Sequence, residues 1–308
     1  MTETLFLRSD ELSGLADPAE YVEAVREGYR QQGPAEPRTK LVSEAPAGML
    51  TSYIAILPET GAMGGYTYAA GFADEDVHFM TPLFDAESGA PLAMLDGASM
   101  NPFKTGATGA VGVDALARED ARTLAIIGSG AQARGQLRAT MTVREFDTVN
   151  VYSPTKESRE SFASEMNQEF DAAVGAVASS DAAVEGADVV VTAMGQYDPG
   201  KRELDARTIE RAKYVPDLRA RATSDAGSFL QAVEAGVVSE DHVHGDLGEV
   251  LAGDVPGRES DEEITVFDSG GTAIETVAAA YMLYGKAVDR GLGETIDIAP
   301  GSEALTGR

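Results

Sequence analysis

Thr123-Leu124-Ala125-Ile126-Ile127-Gly128-Ser129-Gly130-Ala131-Gln132-Ala133 decides how this chain folds. Residues 123–127 are a short apolar run ended by glycine, the pattern of a buried strand. The run passes directly into Gly128-x-Gly130-x-x-Ala133, and a helical pattern continues from Ala131 to Met141. Each position has a physical task in holding a dinucleotide. Gly128 allows the tight turn, Gly130 lets a pyrophosphate approach the backbone, and Ala133 keeps the helix close to the strand. The free N–H groups at the helix start, with Ser129, Ala131 and Gln132 between the small residues, face the phosphates.

Outward from that turn, strand and helix alternate. Thr148 to Tyr152 reads as a second strand, Lys156 to Phe170 as a helix, Ala172 to Val177 as a third strand, and Ala187 to Ala193 as a fourth after a short helix at Ala182 to Gly186. Such alternation implies a doubly wound, Rossmann-like parallel α/β sheet with right-handed crossovers. An acidic residue at the end of the second strand would hold the ribose 2′-hydroxyl and repel a 2′-phosphate. Here that strand leads into Ser153-Pro154-Thr155-Lys156, and Ser153, Thr155, Lys156 and Arg159 can accept a phosphate. NAD and NADP both remain open as the cofactor.

Character changes near Arg118 to Ala121. Before it, Ser13 to Tyr29 has helical spacing with Asp17-Pro18 as a start signal. Residues 50–57, 63–70 and 77–84 read as strands, Leu92 to Leu95 extends that sheet, and Thr105 to Ala117 is a small-residue helix able to pack against a backbone or cofactor. Beyond the alternating region, Ala212 to Val215 reads as a strand, Ser228 to Ala235 as a helix, and Ala273 to Arg290 as a buried helix returning to the first domain. The expected domains are 1–118 with 269–308, and 119–268.

Composition narrows the function. The 308 residues include no cysteine, which excludes disulfides and thiolate chemistry and fits a cytoplasmic location. No apolar run reaches the roughly 18 residues of a membrane helix, and the N-terminus lacks a secretion signal. With 51 acidic and 24 basic residues the net charge is −27, spread along the chain. That disfavours a nucleic-acid partner, which needs a basic surface. It suits a hydrated carboxylate surface in concentrated salt, as in halophilic proteins. His242-x-His244 with Asp246 is a polar loop, and no metal is expected there. No Gly-x-Ser-x-Gly elbow points to a hydrolase.

The chain resembles the ornithine cyclodeaminase/mu-crystallin family. The matching stretches are Pro37-Arg38-Thr39, Phe84 to Leu92, Ala125 to Arg134, Pro199 to Leu204, Gly248 to Leu251 with Pro256-Gly257-Arg258, and Ile264 to Ser269, in family order. The resemblance implies a Rossmann domain beside a second α+β substrate and dimerisation domain, and a homodimer. It implies NAD(P)-dependent hydride exchange at the α-carbon of a small amino acid or cyclic imine, as in ornithine cyclodeaminases, alanine dehydrogenases and ketimine reductases. The alternative is a catalytically impaired dinucleotide-binding homologue of the mu-crystallin type.

The resemblance also implies site residues. Arg38 matches the carboxylate-binding arginine, and Lys104 stands where a second arginine is usual. Thr67 stands where a lysine is usual, removing a positive charge. The family aspartate two residues before Pro-Gly-Lys is Tyr197 here; Asp198, just before Pro199, is the candidate base or water activator. About twenty residues with a strand, expected between Ala193 and the Pro-Gly-Lys loop, are missing. The Rossmann domain is then shortened, or Asp188 to Met194 takes that strand's place.

Overall fold

The computed structural model describes residues 2–31, 40–72, 76–193, 204–224 and 227–302. The chain runs β1 (Thr2–Leu7), α1 (Ser9–Leu12), α2 (Pro18–Arg30), β2 (Lys40–Ala45), β3 (Gly48–Leu57), β4 (Ala62–Ala70), β5 (Met80–Asp85), β6 (Pro91–Asp96) and α3 (Asn101–Leu116). It continues with β7 (Thr123–Ile127), α4 (Ala131–Thr140), β8 (Thr148–Tyr152), α5 (Lys156–Glu169), β9 (Ala173–Ala176), α6 (Ser180–Val184) and β10 (Val189–Thr192). The last part holds α7 (Ala206–Arg211), β11 (Lys213–Pro216), α8 (Arg219–Ala222), α9 (Gly227–Glu234), α10 (Leu247–Ala252), β12 (Thr265–Asp268), α11 (Ala273–Arg290) and β13 (Glu294–Ile298). None of the described helices is long and apolar enough to cross a membrane.

The chain divides into two compact units, Met1–Asn101 with Thr272–Arg308, and Pro102–Gly271. The first carries a seven-stranded sheet in the order β13-β1-β6-β5-β4-β3-β2. Helix α11 packs on α2 and across β3 and β4. It is buried along Ala273 to Ala280 and at Leu283 and Ala287, which is why the sequence reads as apolar there on most sides. At its start Thr272 and Glu275 cap each other, and the fully buried Glu275 carboxylate also accepts from Tyr29 Oη at 2.8 Å. Helix α2 starts where Asp17-Pro18 predicts, with Asp17 Oδ1 accepting from Glu20 N at 2.9 Å.

The second unit contains a four-stranded sheet in the order β10-β7-β8-β9, parallel throughout, and a parallel pair β11-β12. Parallel neighbours need crossovers, and α4 and α5 supply them. Leu124, Ile126, Leu137, Val149, Val151, Phe162 and Met166 form one core between sheet and helices. A second core joins Ile209, Tyr214, Phe229 and Val243, with Tyr214 and Phe229 stacked at 4.6 Å.

Several expectations shift. The strand expected from Val77 begins at Met80, and the small-residue helix starts at Asn101, ahead of Thr105. That helix, α3, groups from Pro102 onward with the second unit, whereas the sequence expectation placed residues up to 118 in the first. The reason is packing: a Cβ on Gly106 would fall closer than 3.0 Å to the Gly135 backbone, and one on Gly135 as close to the Pro102 backbone. The two helices touch backbone to backbone.

Candidate active site

The dinucleotide turn lies at the carboxyl end of β7, where open α/β sheets hold ligands. Gly128 has φ +133°, and a Cβ there would collide with the Ala193 carbonyl, so both conformation and space demand glycine. Gly130 differs: its backbone is extended, and a Cβ would meet nothing within 4 Å. It opens onto free space that a phosphate can enter. Ala133 is fully buried, as close helix–strand packing requires. Gly130 provides no side-chain cap to α4, so the first-turn N–H groups are left to a ligand. Gln132 Oε1 at the same turn is buried without a hydrogen-bond partner. Space and uncapped amides together fit a bound pyrophosphate.

Arg134 braces the turn from inside the helix. Its Nη1 donates to the Ser129 carbonyl, its Nε donates to Glu165 at 2.8 Å, and its guanidinium lies 5.3 Å over the Phe162 ring. Hydrogen bonding to Arg134 holds the Glu165 carboxyl below its ordinary range. Sequence reading passed over this arginine; an arginine at the fourth position after Gly130 with a glutamate on the next helix is the signal that finds it. Ser129 Oγ donates to Ser153 Oγ at 2.9 Å, tying the first turn to the end of β8.

Lys104 is buried on α3, 3% exposed. Gln136 of α4 donates to the Thr105 carbonyl at 3.1 Å, and Gly109 faces the same glutamine amide, so the Lys104 segment is locked to α4.

At the carboxyl ends of β11 and β12 sits a buried ionic cluster. Asp217 accepts from Arg221 Nε, from Leu218 N at 2.7 Å, from Gly270 N at 2.9 Å and from Gly271 N at 3.2 Å. Arg221 Nη2 donates to the Asp268 carbonyl at 2.7 Å and pairs with its carboxylate at 3.2 Å. Burial pulls the Arg221 guanidinium down, but Asp217 and Asp268 outweigh it and hold it above its ordinary value. Tyr214 donates to Asp268, and burial, reinforced by Asp268, pushes its phenol up. The cluster fixes the turn Asp268 to Gly271.

In the first unit, Thr67 on β4 pairs across to Ser52 on β3, with Oγ–Oγ 2.9 Å. Register places Leu41, Leu50, Ile54, Ile56 and Met80 on the same face, all exposed. Arg38 and Asp198 lie outside the described residues. His242 and His244 each donate from Nε2 to a carbonyl, of Ile209 at 2.7 Å and Pro256 at 2.9 Å, and Asp246 caps α10. An open depression bordered by Asp114, Arg122, Arg144 and Glu145 lies near the amino ends of the parallel strands, away from the turn.

The ornithine cyclodeaminase/mu-crystallin family model matches residues 15–196 and 192–291. This chain belongs to that family. A Bacillus cereus Δ1-pyrroline-2-carboxylate reductase is 32% identical over 277 residues, covering 83% of this chain and 82% of the relative. The solved Thermococcus litoralis Δ1-pyrroline-2-carboxylate reductase, in complex with NADH and L-proline, superposes with TM-score 0.88 at 28% identity, over 95% of this chain and all of that one. An archaeal alanine dehydrogenase dimer with bound NAD gives TM-score 0.87 at 30% identity, over 97% and 100% of the two chains. The chain is thus an NAD(P)-dependent enzyme of the imine and amino-acid reductase type, built on a Rossmann-like fold.

Proposed function

We propose that this family member reduces a small cyclic imine carboxylate of the Δ1-pyrroline-2-carboxylate type, and runs the reverse oxidation of the corresponding L-amino acid. The observation that carries this is the intact turn at Gly128 to Ala133, open at Gly130, in a chain that matches such reductases along most of its length. The bound nicotinamide supplies or takes the hydride at the substrate α-carbon. Arg38 and Lys104 bind the substrate carboxylate, and Asp198 handles the proton on nitrogen. Thr67, already paired with Ser52, adds no charge. A substrate with one nitrogen therefore fits better than ornithine, and net redox better than cyclodeamination.

The apolar face carrying Leu41, Leu50, Ile54 and Ile56 supports assembly as a homodimer through the first unit. The family match breaks at residues 192–196, which supports a shortened Rossmann domain. The net charge of −27 supports adaptation to concentrated salt.

The test is turnover in molar KCl, followed by the reduced-nicotinamide absorbance band. Δ1-pyrroline-2-carboxylate, pyruvate with ammonia, and ornithine are the substrates. Oxidation of the cofactor with the cyclic imine supports the proposal. Proline and ammonia from ornithine would overturn it in favour of cyclodeamination. Nucleotide binding without turnover on any of them would favour the impaired, mu-crystallin-like alternative.

A further inference from the structure

We infer that this enzyme selects the 2′-phosphorylated cofactor, NADPH, through a phosphate site at the β8–α5 junction built from Ser153, Thr155, Lys156 and Arg159. The inference rests on the dinucleotide reading and concerns which nucleotide is held.

In this fold the adenosine ribose is read at the end of the second parallel strand, about 20 residues past the glycine turn. A carboxylate there grips both ribose hydroxyls and repels a phosphate. β8 ends at Tyr152, and residues 153–156 contain no acid. In its place stands Ser153, buried, whose hydroxyl accepts from Ser129 Oγ at 2.9 Å and donates to the Thr155 carbonyl at 3.2 Å. This hydroxyl relay reaches the pyrophosphate turn itself, so ribose and pyrophosphate ends of the site are one network.

The groups beyond Ser153 are arranged for an anion. Thr155 is the N-cap of α5, yet its side chain makes no capping bond. Its exposed hydroxyl and the first-turn N–H groups of this 14-residue helix remain available, at the positive end of the helix dipole. Lys156 follows at the first helical position, with its side chain 66% exposed and only a 3.7 Å contact to Glu160. Such an exposed pair yields readily to a phosphate. Arg159 lies one turn further on. Its Nη1 donates to the Ser153 carbonyl at 3.0 Å, its guanidinium lies 5.9 Å from the Tyr152 ring centroid, and it makes no ion pair with a described residue. The first turn of α5 thus presents a guanidinium and an ammonium in a protein where acids outnumber bases by more than two to one. Glu157 and Glu160 share this turn of α5 with Lys156 and Arg159, and Thr155 and Ser153 precede it.

The test is direct binding, by fluorescence titration of NADPH and of NADH with the intact protein in the same molar-salt buffer, with 2′,5′-ADP and 5′-AMP as competitors. NADPH is expected to bind at least about 10-fold more tightly than NADH, and 2′,5′-ADP to compete better than 5′-AMP by a similar factor. Ser153→Asp is expected to invert or erase the preference. Thr155→Asp keeps a favourable N-cap and so leaves the fold intact; it is expected to weaken NADPH about 10-fold while sparing NADH. Equal or tighter NADH binding by the wild-type protein would overturn the inference while leaving the dinucleotide reading in place. An unchanged NADPH/NADH ratio in a folded Thr155→Asp protein would also overturn it. Binding of neither nucleotide would remove the dinucleotide reading, and this inference with it.

Discussion

Removal of the Asp217 carboxylate is a demanding test of the second unit's architecture. The side chain is fully buried and accepts from three backbone N–H groups as well as from Arg221. Asp217→Ala leaves the Arg221 guanidinium, 4% exposed, with Asp268 alone, and leaves the Leu218, Gly270 and Gly271 donors without this acceptor. Breaking a buried pair from one side costs about 3–5 kcal/mol. Gly270 is exposed, and water replaces part of what it loses, which places the expected cost near about 3–4 kcal/mol. Arg221→Met is different. The apolar chain fills most of the volume, and the carboxylate keeps all three amide donors, so the expected cost is about 1–2 kcal/mol. A native stability of about 5–15 kcal/mol makes both readable. Urea unfolding in molar KCl, followed by far-ultraviolet circular dichroism, gives the two values. If Arg221→Met destabilises as much as Asp217→Ala, the charge partner rather than the amides holds this carboxylate, and the reasoning fails.

Gly130→Ala is expected to weaken nucleotide binding about 10-fold or more with a stability change within about 1 kcal/mol, since the new methyl meets only open space. Gly128→Ala, at φ +133° and against the Ala193 carbonyl, is expected to lose stability first; equal thermal shifts in the two variants would contradict this account. Lys104→Met is expected to raise the substrate KM about 10- to 100-fold and leave nucleotide affinity unchanged, as measured by separate titrations. Asp188 is held below the ordinary carboxylate range by the Arg122 and Thr123 N–H groups and Arg118. Its stabilisation is complete above the unfolded value near about pH 3.9 and fades as pH falls through the lower folded value. Asp188→Asn is therefore expected to lower neutral-pH stability and flatten the acid limb of a pH–stability curve. Raising KCl from 0.1 M to 1 M shortens the screening length from about 10 Å to about 3 Å, and the melting temperature is expected to climb with it. A flat response would remove the salt-adaptation reading.

Much of this architecture was legible in the residues. β7 and the turn after it were clear because a local apolar run meets a motif with one steric solution. Helix α11 matched its expected span because its cap, its buried faces and its terminal glycine all agree. The edges of the first sheet were not legible. β1 finds its partners in β6 and β13, the latter almost the whole chain away, and no local pattern announces such a pairing. β2 is exposed from Leu41 to Ala45 and lacks the alternation that marks a half-buried strand. In the site, the glycines and Ser153 could be named from spacing. The Arg134 brace and the Ser129–Ser153 bond could not, because they join residues whose nearness depends on how α4, α5 and β8 pack. The family pattern alone pointed to Arg38, Thr67 and Asp198.

The crossing of α3 and α4 has one more consequence. Gly106 and Gly135 bring the two backbones together with no side chain between them, and Gln136 fastens the contact to Thr105. A contact of main chain against main chain has no rotamers through which to relax. Lys104 and the phosphate turn therefore behave as two marks on one ruler, their separation set within the second unit whatever occurs in the first. Substitutions elsewhere in the second unit that spare Gly106, Gly135 and Gln136 are therefore expected to leave this gauge unchanged.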